Sequence, residues 1–184
     1  NSYSGGTNLV LGTITTSHEN ALGTGEVKLG GDGNAWEGHL MLNSNLTVAA
    51  IASYVDKSTG HFETDGILSL NYETLTVGAY GYAKDAVYAG SFNNTLVGSI
   101  AKMGTNTQEF SSDTAKVKNV SVQGGSLVFS SEDAQIMGDI EIGTESGEGS
   151  LLFAGVYTLD SDSILSLHSA EQSTLGGLML NGGV

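Results

Sequence analysis

Apolar and polar residues alternate along this chain over very short segments, which are separated by glycine, asparagine, aspartate and serine. Alternation with a period of two predicts short β-strands that bury one face, because successive side chains of a strand point to opposite sides. Triplets of the form apolar–x–apolar occur at residues 9–11, 27–29, 40–42, 46–48, 68–70, 75–77, 120–122, 127–129, 140–142, 151–153, 165–167 and 178–180. Residues 46–55 have a helical look, but the β-branched Thr47, Val48 and Ile51 favour strand and loop. The chain is therefore predicted to be all-β.

The spacing of these segments favours a solenoid over a sandwich of hairpins. The sequence Gly-Ser-Leu-Val-Phe at 125–129 returns as Gly-Ser-Leu-Leu-Phe at 149–153, an offset of 24, and the triplets that begin at Leu9, Val27 and Leu46 follow one another at offsets of 18 and 19. Such offsets match one turn of a parallel β-helix, in which equivalent residues stack about 4.8 Å apart. At about 20–24 residues per turn, the chain is predicted to form roughly eight turns and a rod about 40 Å long.

The whole chain, residues 1–184, is predicted to be one β-helix segment. It begins at Asn1 with no start methionine and no signal peptide, so we interpret it as a fragment of a longer protein. More than half of the aromatic residues fall between 54 and 92, where the repeating pattern is weaker. We expect loops that leave the regular turns in this region.

The charge of the chain excludes two classes of partner. It carries 20 acidic residues against 6 basic ones, all of them lysines, for a net charge of −14. Nucleic acids and anionic membrane surfaces both require clustered cations, so we expect neither nucleic-acid binding nor direct membrane insertion by this segment. Cysteine is absent, which rules out disulfides and thiolate chemistry.

Two stretches of the chain carry a recognisable motif. Residues 1–7 (Asn-Ser-Tyr-Ser-Gly-Gly-Thr) and 21–27 (Ala-Leu-Gly-Thr-Gly-Glu-Val) closely resemble the autotransporter-associated β-strand repeat of bacterial surface passenger domains. A second, less regular match covers residues 88–127, where Asn106 stands in place of an expected glycine. The resemblance implies a right-handed, single-stranded parallel β-helix displayed outside the outer membrane.

The same resemblance implies a role without chemistry of its own. We expect a non-catalytic stalk that acts as a rigid spacer at the cell surface or in the extracellular space, with no cofactor. Its partners would be a glycan or protein on a host or bacterial surface, or a second copy of itself. The alternative hypothesis is a carbohydrate-active or carbohydrate-binding β-helix domain.

Two tyrosines, Tyr80 and Tyr82, are the predicted binding residues, because exposed rings on a loop suit contact with a sugar or a protein. The alternative for both rings is that they cover the core of the solenoid. Resolving this choice requires the environment of each side chain.

Other candidate groups are assigned to the surface. The carboxylate pairs Asp160/Asp162 and Glu132/Asp133 could serve glycoside hydrolysis, but both are interpreted as solvated turn residues. Calcium at the first pair is a further alternative. Three of the four histidines follow one another at offsets of 21 and 22, close to one turn, and could stack as a metal column; we interpret them as turn residues and predict no metal site. The histidines are His18, His39, His61 and His168.

Overall fold

The computed structural model describes residues 3–31, 37–144, 149–157 and 163–167, and these form twenty short strands with no helix. The strands are β1 (Thr7–Leu9), β2 (Gly12–Thr16), β3 (Glu26–Leu29), β4 (Gly38–Leu42), β5 (Leu46–Thr47), β6 (Ala50–Ser53), β7 (Ile67–Ser69), β8 (Thr74–Val77), β9 (Ala86–Tyr88), β10 (Ser91–Phe92), β11 (Ser99–Lys102), β12 (Thr107–Phe110), β13 (Lys116–Val117), β14 (Val120–Val122), β15 (Gly125–Phe129), β16 (Gln135–Ile136), β17 (Ile140–Ile142), β18 (Gly149–Phe153), β19 (Val156–Tyr157) and β20 (Leu165–Leu167).

The strands wind into a parallel β-solenoid with three faces, as predicted. Face A carries β1, β3, β6, β9, β12, β15 and β18; face B carries β2, β4, β7, β10, β13, β16 and β19; face C carries β5, β8, β11, β14, β17 and β20. Every pairing between these strands is parallel and joins one turn to the next. Face C is one continuous sheet of six strands, whereas faces A and B are each divided into two sheets.

The predicted number of turns is wrong. The described strands make a first turn of two strands followed by six complete turns of three. At about 4.8 Å per turn, β1 and β18 are about 29 Å apart along the stack, shorter than the expected rod. The reason is that turns differ in length: the offsets between paired positions along face C are 29, 25, 20, 20 and 25.

The strand register confirms one predicted offset and corrects two. Gly125 pairs with Gly149 and Phe129 with Phe153, so the repeat of the Gly-Ser-Leu segment is one turn. Leu9, in contrast, pairs with Leu29, and Val27 pairs with Ile51. The offset of 19 fails because the triplet at 46–48 belongs to face C, whereas Val27 lies on face A. The offset of 18 fails because Leu9 and Val27 share face A but are not paired: Val27 pairs with Thr7. Distances between successive triplets therefore do not measure a turn.

The core is one column of apolar side chains that runs through the stack. Within it, five aromatic rings contact each other in a ladder on the side of β9, β10, β12, β15 and β18, with ring centroids 5.5 to 6.2 Å apart. Phe110 and Phe129 are stacked, and the other contacts are edge-to-face. The ladder consists of Tyr88, Phe92, Phe110, Phe129 and Phe153. Each fully buried ring or aliphatic side chain contributes about 1.5–3 kcal/mol through removal of apolar surface from water.

Three polar side chains are buried inside the solenoid: Lys102, Asn106 and Gln108. We call them the interior polar cluster. Lys102 occupies an inward position between Val77 and Val122 of the neighbouring turns. Its ammonium donates hydrogen bonds to the carbonyl oxygens of Met103 and Gly124. Burial lowers the pKa of Lys102 to about 8, an effect that the negative charge of Asp85 partly opposes.

Gln108 closes a gap in face A. Strands β6 and β9 contact each other but belong to different sheets. The Gln108 carboxamide reaches across this gap: its Oε1 accepts from Ile51 N at 3.1 Å, and its Nε2 donates to Ile51 O at 2.8 Å. The Gln108 side chain from β12 thus satisfies the backbone N–H and C=O of Ile51 in β6, which would otherwise pair with a neighbouring strand.

A loop of residues 54–66 leaves the solenoid between β6 and β7. Val55 and Phe62 form an isolated antiparallel bridge across it, and both side chains are exposed. The Asp56 carboxylate accepts hydrogen bonds from Ser58 and Thr59, which lower the pKa of Asp56 to about 2. The loop is thus organised by its own turn rather than by the core.

Candidate functional site

The two predicted binding residues lie in different environments. Tyr80 is exposed, and its hydroxyl donates a hydrogen bond of 2.6 Å to Asn20 Oδ1 of the first turn. Its backbone has a φ of +61°, in the left-handed region that a non-glycine residue seldom adopts. The Tyr80 ring therefore remains accessible to a ligand, although its hydroxyl is already partnered.

Tyr82 covers the outer side of face A instead of projecting from it. Its ring packs against Ala50, Ala52 and Ala86, a small apolar cluster outside the main core. Partial burial raises the pKa of Tyr82, and the nearby Glu26 carboxylate adds to the rise. The structure therefore gives Tyr82 a packing role, and ligand binding at the two tyrosines stays a prediction.

A more exposed ring, Tyr72, is missing from the predicted set. It follows β7 at the corner between faces B and C and is 71% exposed. Tyr72 and the preceding Asn71 both have positive φ, and Asn71 Nδ2 donates to Leu42 O of the turn below. The sequence offers no signal for this exposure, because tyrosine is as common in cores as on surfaces.

Of the predicted carboxylate pairs, the structure describes only Glu132/Asp133. Glu132 and Asp133 are exposed in the turn between β15 and β16 and line neither of the grooves described below. Asp160 and Asp162 lie outside the described residues. The same holds for His168.

The histidines that the structure describes do not stack. His39 pairs in register with Thr13 and Ile67, so neither His18 nor His61 occupies its column. In the ranges that the structure describes, no three His, Cys, Asp or Glu side chains are grouped closely enough to hold a metal ion.

His39 instead forms a hydrogen bond with a buried serine. Its Nε2 lies 2.7 Å from the hydroxyl of Ser69, which is fully buried. A serine nucleophile must reach its substrate, and this hydroxyl has no exposed surface. The His39–Ser69 pair therefore fixes the orientation of the imidazole rather than activating a nucleophile.

The most promising surface is a groove that crosses three successive turns on face B, and we call it the face B groove. It has a volume of about 350 Å³, near the lower end of the range for ligand pockets. The second turn contributes Glu37 and His39, the third contributes Thr64, Asp65 and Ile67, and the fourth contributes Ser91, Phe92 and Asn93.

Two carboxylates, Glu37 and Asp65, line this groove. They lie two positions before His39 and Ile67, which pair in register on adjacent turns. Among the described residues, no lysine lines the groove. Within the described residues, the sole lysine–carboxylate ion pair is Lys28–Glu26, at 3.7 Å.

Face C presents a different surface, a flat ladder of small polar side chains. Strand register places outward residues of successive turns in one column: Thr47, Thr76, Ala101, Ser121, Glu141 and Ser166. A depression of about 290 Å³ lies beside this column and includes Asn119 and Asp139. We call this surface the face C ladder.

Sequence reasoning missed both surfaces because neither is a local motif. Glu37 and Asp65 are distant in the sequence, and only the fold places them in one groove. A search for two carboxylates separated by the length of one turn could have found this pair. The result would be ambiguous, because the turns differ in length.

Comparison with known proteins adds no relative. No family model, no curated protein and no solved structure matches this chain. In the described part of the chain, no helix is long and apolar enough to cross a membrane.

Proposed function

We propose that this β-solenoid is a non-catalytic passenger or stalk segment of a bacterial autotransporter-like protein, exported to the cell surface or secreted. It works as a rigid spacer whose side faces serve adhesion or self-association. The observation that carries the proposal is the unbroken parallel sheet of face C, which links all six complete turns in register. The motif resemblance at residues 1–7 and 21–27 supports the bacterial surface setting.

The structure supports a mechanical role through its linear core. Strand pairing joins each turn to its neighbours, so the stack resists bending without a compact globular core. The aromatic ladder adds ring contacts between turns in its upper half. The acidic surface limits non-specific clumping of such rods and repels anionic surfaces.

Two surfaces are available for contact. The face C ladder is flat and carries hydroxyl groups that can pair with the same ladder of a second copy. The face B groove is concave and acidic. Self-association is therefore assigned to face C, and adhesion to face B.

Surface display tests the proposal directly. The chain is placed between an export signal and a translocating membrane barrel in a Gram-negative host, with an epitope tag at its N-terminus. We expect antibody labelling of the tag on intact cells and release of a folded, protease-resistant rod. A matched variant, Phe110→Ser, removes one ring of the ladder and should reduce the folded product on the surface.

Retention of the intact chain inside the cell, or display as an unfolded and protease-sensitive chain, would contradict the proposal. Small-angle scattering of the released segment gives a second criterion. A globular profile in place of an elongated one would exclude the spacer role.

A carbohydrate-binding domain is the second candidate. The exposed rings of Tyr72 and Tyr80 favour it, since sugars stack on accessible aromatic faces. A glycan array with the purified segment distinguishes a carbohydrate-binding domain from a simple spacer, because a simple spacer binds no glycan. Loss of glycan binding in both Tyr72→Ala and Tyr80→Ala would establish the second candidate.

A further inference from the structure

We propose that the face B groove binds a short, extended, cationic peptide segment of a partner protein, with a lysine or arginine side chain placed between Glu37 and Asp65. The proposal deepens the adhesion role proposed above by naming the class of partner, and it rests on that role. It adds a site that the sequence motifs do not mark.

The first argument is the uncompensated charge. Glu37 and Asp65 line the same groove from adjacent turns, and neither forms an ion pair with a described lysine. A cation held between them would donate a charge-assisted hydrogen bond to each carboxylate.

The second argument is the chemistry of the remaining lining. Next to the carboxylates lies the aliphatic side chain of Ile67, which suits the methylene stem of lysine or arginine. Beyond it, the groove presents Ser91 and Asn93, whose hydroxyl and amide groups can bond a peptide backbone. The groove therefore provides separate places for the charged head, the stem and the main chain.

The third argument excludes a sugar as the favoured occupant. Sugar sites usually offer an exposed aromatic face, but Phe92, the aromatic residue of this groove, is 5% exposed and belongs to the core ladder. The accessible rings of Tyr72 and Tyr80 do not line the groove. A peptide cation needs no aromatic platform when two carboxylates are present.

The length of the groove sets the length of the ligand. It spans three turns, two intervals of about 4.8 Å, which corresponds to about three residues of extended peptide. The net charge of −14 favours approach of a basic segment through long-range attraction.

The test uses fluorescence anisotropy with the labelled peptide acetyl-Gly-Arg-Leu-Arg-Gly-amide, in EDTA at physiological ionic strength. Its neutral counterpart carries glutamine in place of both arginines. We expect saturable binding of the basic peptide and none of the neutral one. The double variant Glu37→Gln/Asp65→Asn should bind about tenfold more weakly or not at all.

The matched control is Glu132→Gln/Asp133→Asn, which removes the same number of charges from an exposed turn outside the groove. We expect its affinity to stay within about twofold of the native chain. Amide chemical shifts should change at Ser91 and Asn93 on titration, and circular dichroism should verify that both variants remain folded.

Equal losses in the two double variants would overturn the proposal, because they would show attraction to the acidic surface as a whole. Absence of binding to the basic peptide would also overturn it, as would equal binding of the neutral peptide. A glycan that binds the native chain and is lost in Glu37→Gln/Asp65→Asn would assign the groove to a sugar instead. Surface display of the segment is measured independently, so failure here leaves the spacer role intact.

Discussion

The upper turns of the solenoid, residues 107–157, differ from the lower turns, residues 26–102, in almost every feature except strand direction. The upper turns keep offsets between 19 and 25 and bury most of the aromatic ladder. The lower turns are lengthened by the loop at 54–66 and contain the gap between β6 and β9. The face B groove lies in the lower turns, whereas the depression beside the face C ladder extends from the lower turns into the upper ones.

This difference teaches how a repeat fold gains a specific surface. Identical turns produce flat faces, because equivalent side chains stack in straight columns. A groove requires that successive turns differ in length or path. The chain tolerates this irregularity where interior polar side chains, above all Gln108, replace the missing strand pairing.

The largest expected effect comes from the ladder of the upper turns. Phe110→Ala removes a fully buried ring that contacts Tyr88, Phe92 and Phe129, and we expect a loss of about 3–5 kcal/mol in the free energy of unfolding. Urea denaturation measures it. The matched control Leu152→Ala, at a position 50% exposed, should cost less than about 1 kcal/mol. Similar losses at both positions would mean that the ladder does not stabilise the stack.

The next effect concerns the joint between the two regions. Gln108→Leu leaves Ile51 N and Ile51 O without their hydrogen-bond partner, and we expect a loss of about 2–4 kcal/mol. Gln123→Leu, on the exposed surface, serves as control and should be nearly neutral. Hydrogen exchange of the Ile51 amide should accelerate only in the first variant. An unchanged exchange rate would show that the gap is closed by other groups.

The interior lysine predicts a dependence of stability on pH. The pKa of Lys102 is about 8 in the folded chain, where the side chain is buried, and 10.5 in the unfolded chain. Between pH 8 and pH 10.5, this lysine therefore binds fewer protons in the folded state than in the unfolded state. Stability from this group therefore rises as the pH increases from about 8 to 10.5, by at most about 3 kcal/mol. The measurement is the difference in unfolding free energy between the native chain and Lys102→Met across this window. If this difference does not change with pH, the Lys102 ammonium is well solvated, or nearby negative charge fully compensates for its burial.

The smallest effect is expected in the loop of the lower turns. Phe62→Ser alters a side chain that is 43% exposed and outside the core, so the free energy of unfolding should change by less than about 0.5 kcal/mol. Thermal unfolding followed by circular dichroism is sufficient. A loss comparable with that of Phe110→Ala would show that the loop belongs to the folded core after all, and would remove the contrast between the two regions.

Much of the fold could be predicted because its signals are local. Alternation over triplets such as 120–122 and 140–142 indicated strands, and both are strands of face C. The offset between Gly125 and Gly149 indicated the turn, and these residues pair. The number of turns could not be predicted, since a triplet does not reveal which of three faces it occupies.

The candidate surfaces were beyond the reach of local patterns. Tyr80 and Tyr82 are separated by one residue, yet one ring is exposed and the other packs on alanines of β6 and β9. Lys102 looks like a surface residue in sequence but occupies an inward position between two valines. In both cases the side-chain environment depends on neighbours from other turns.

By itself, the sequence determined that this chain forms short parallel strands stacked in a solenoid, because the two-residue alternation and the glycine-containing repeat are properties of single segments. Only the tertiary structure decided which turns are long, which polar groups lie inside and that Glu37 and Asp65 line one groove. The physical reason is that stacking joins positions that are distant in the sequence, at offsets between 19 and 29. The length of each turn, and hence the identity of each neighbour, is set by how the whole stack packs.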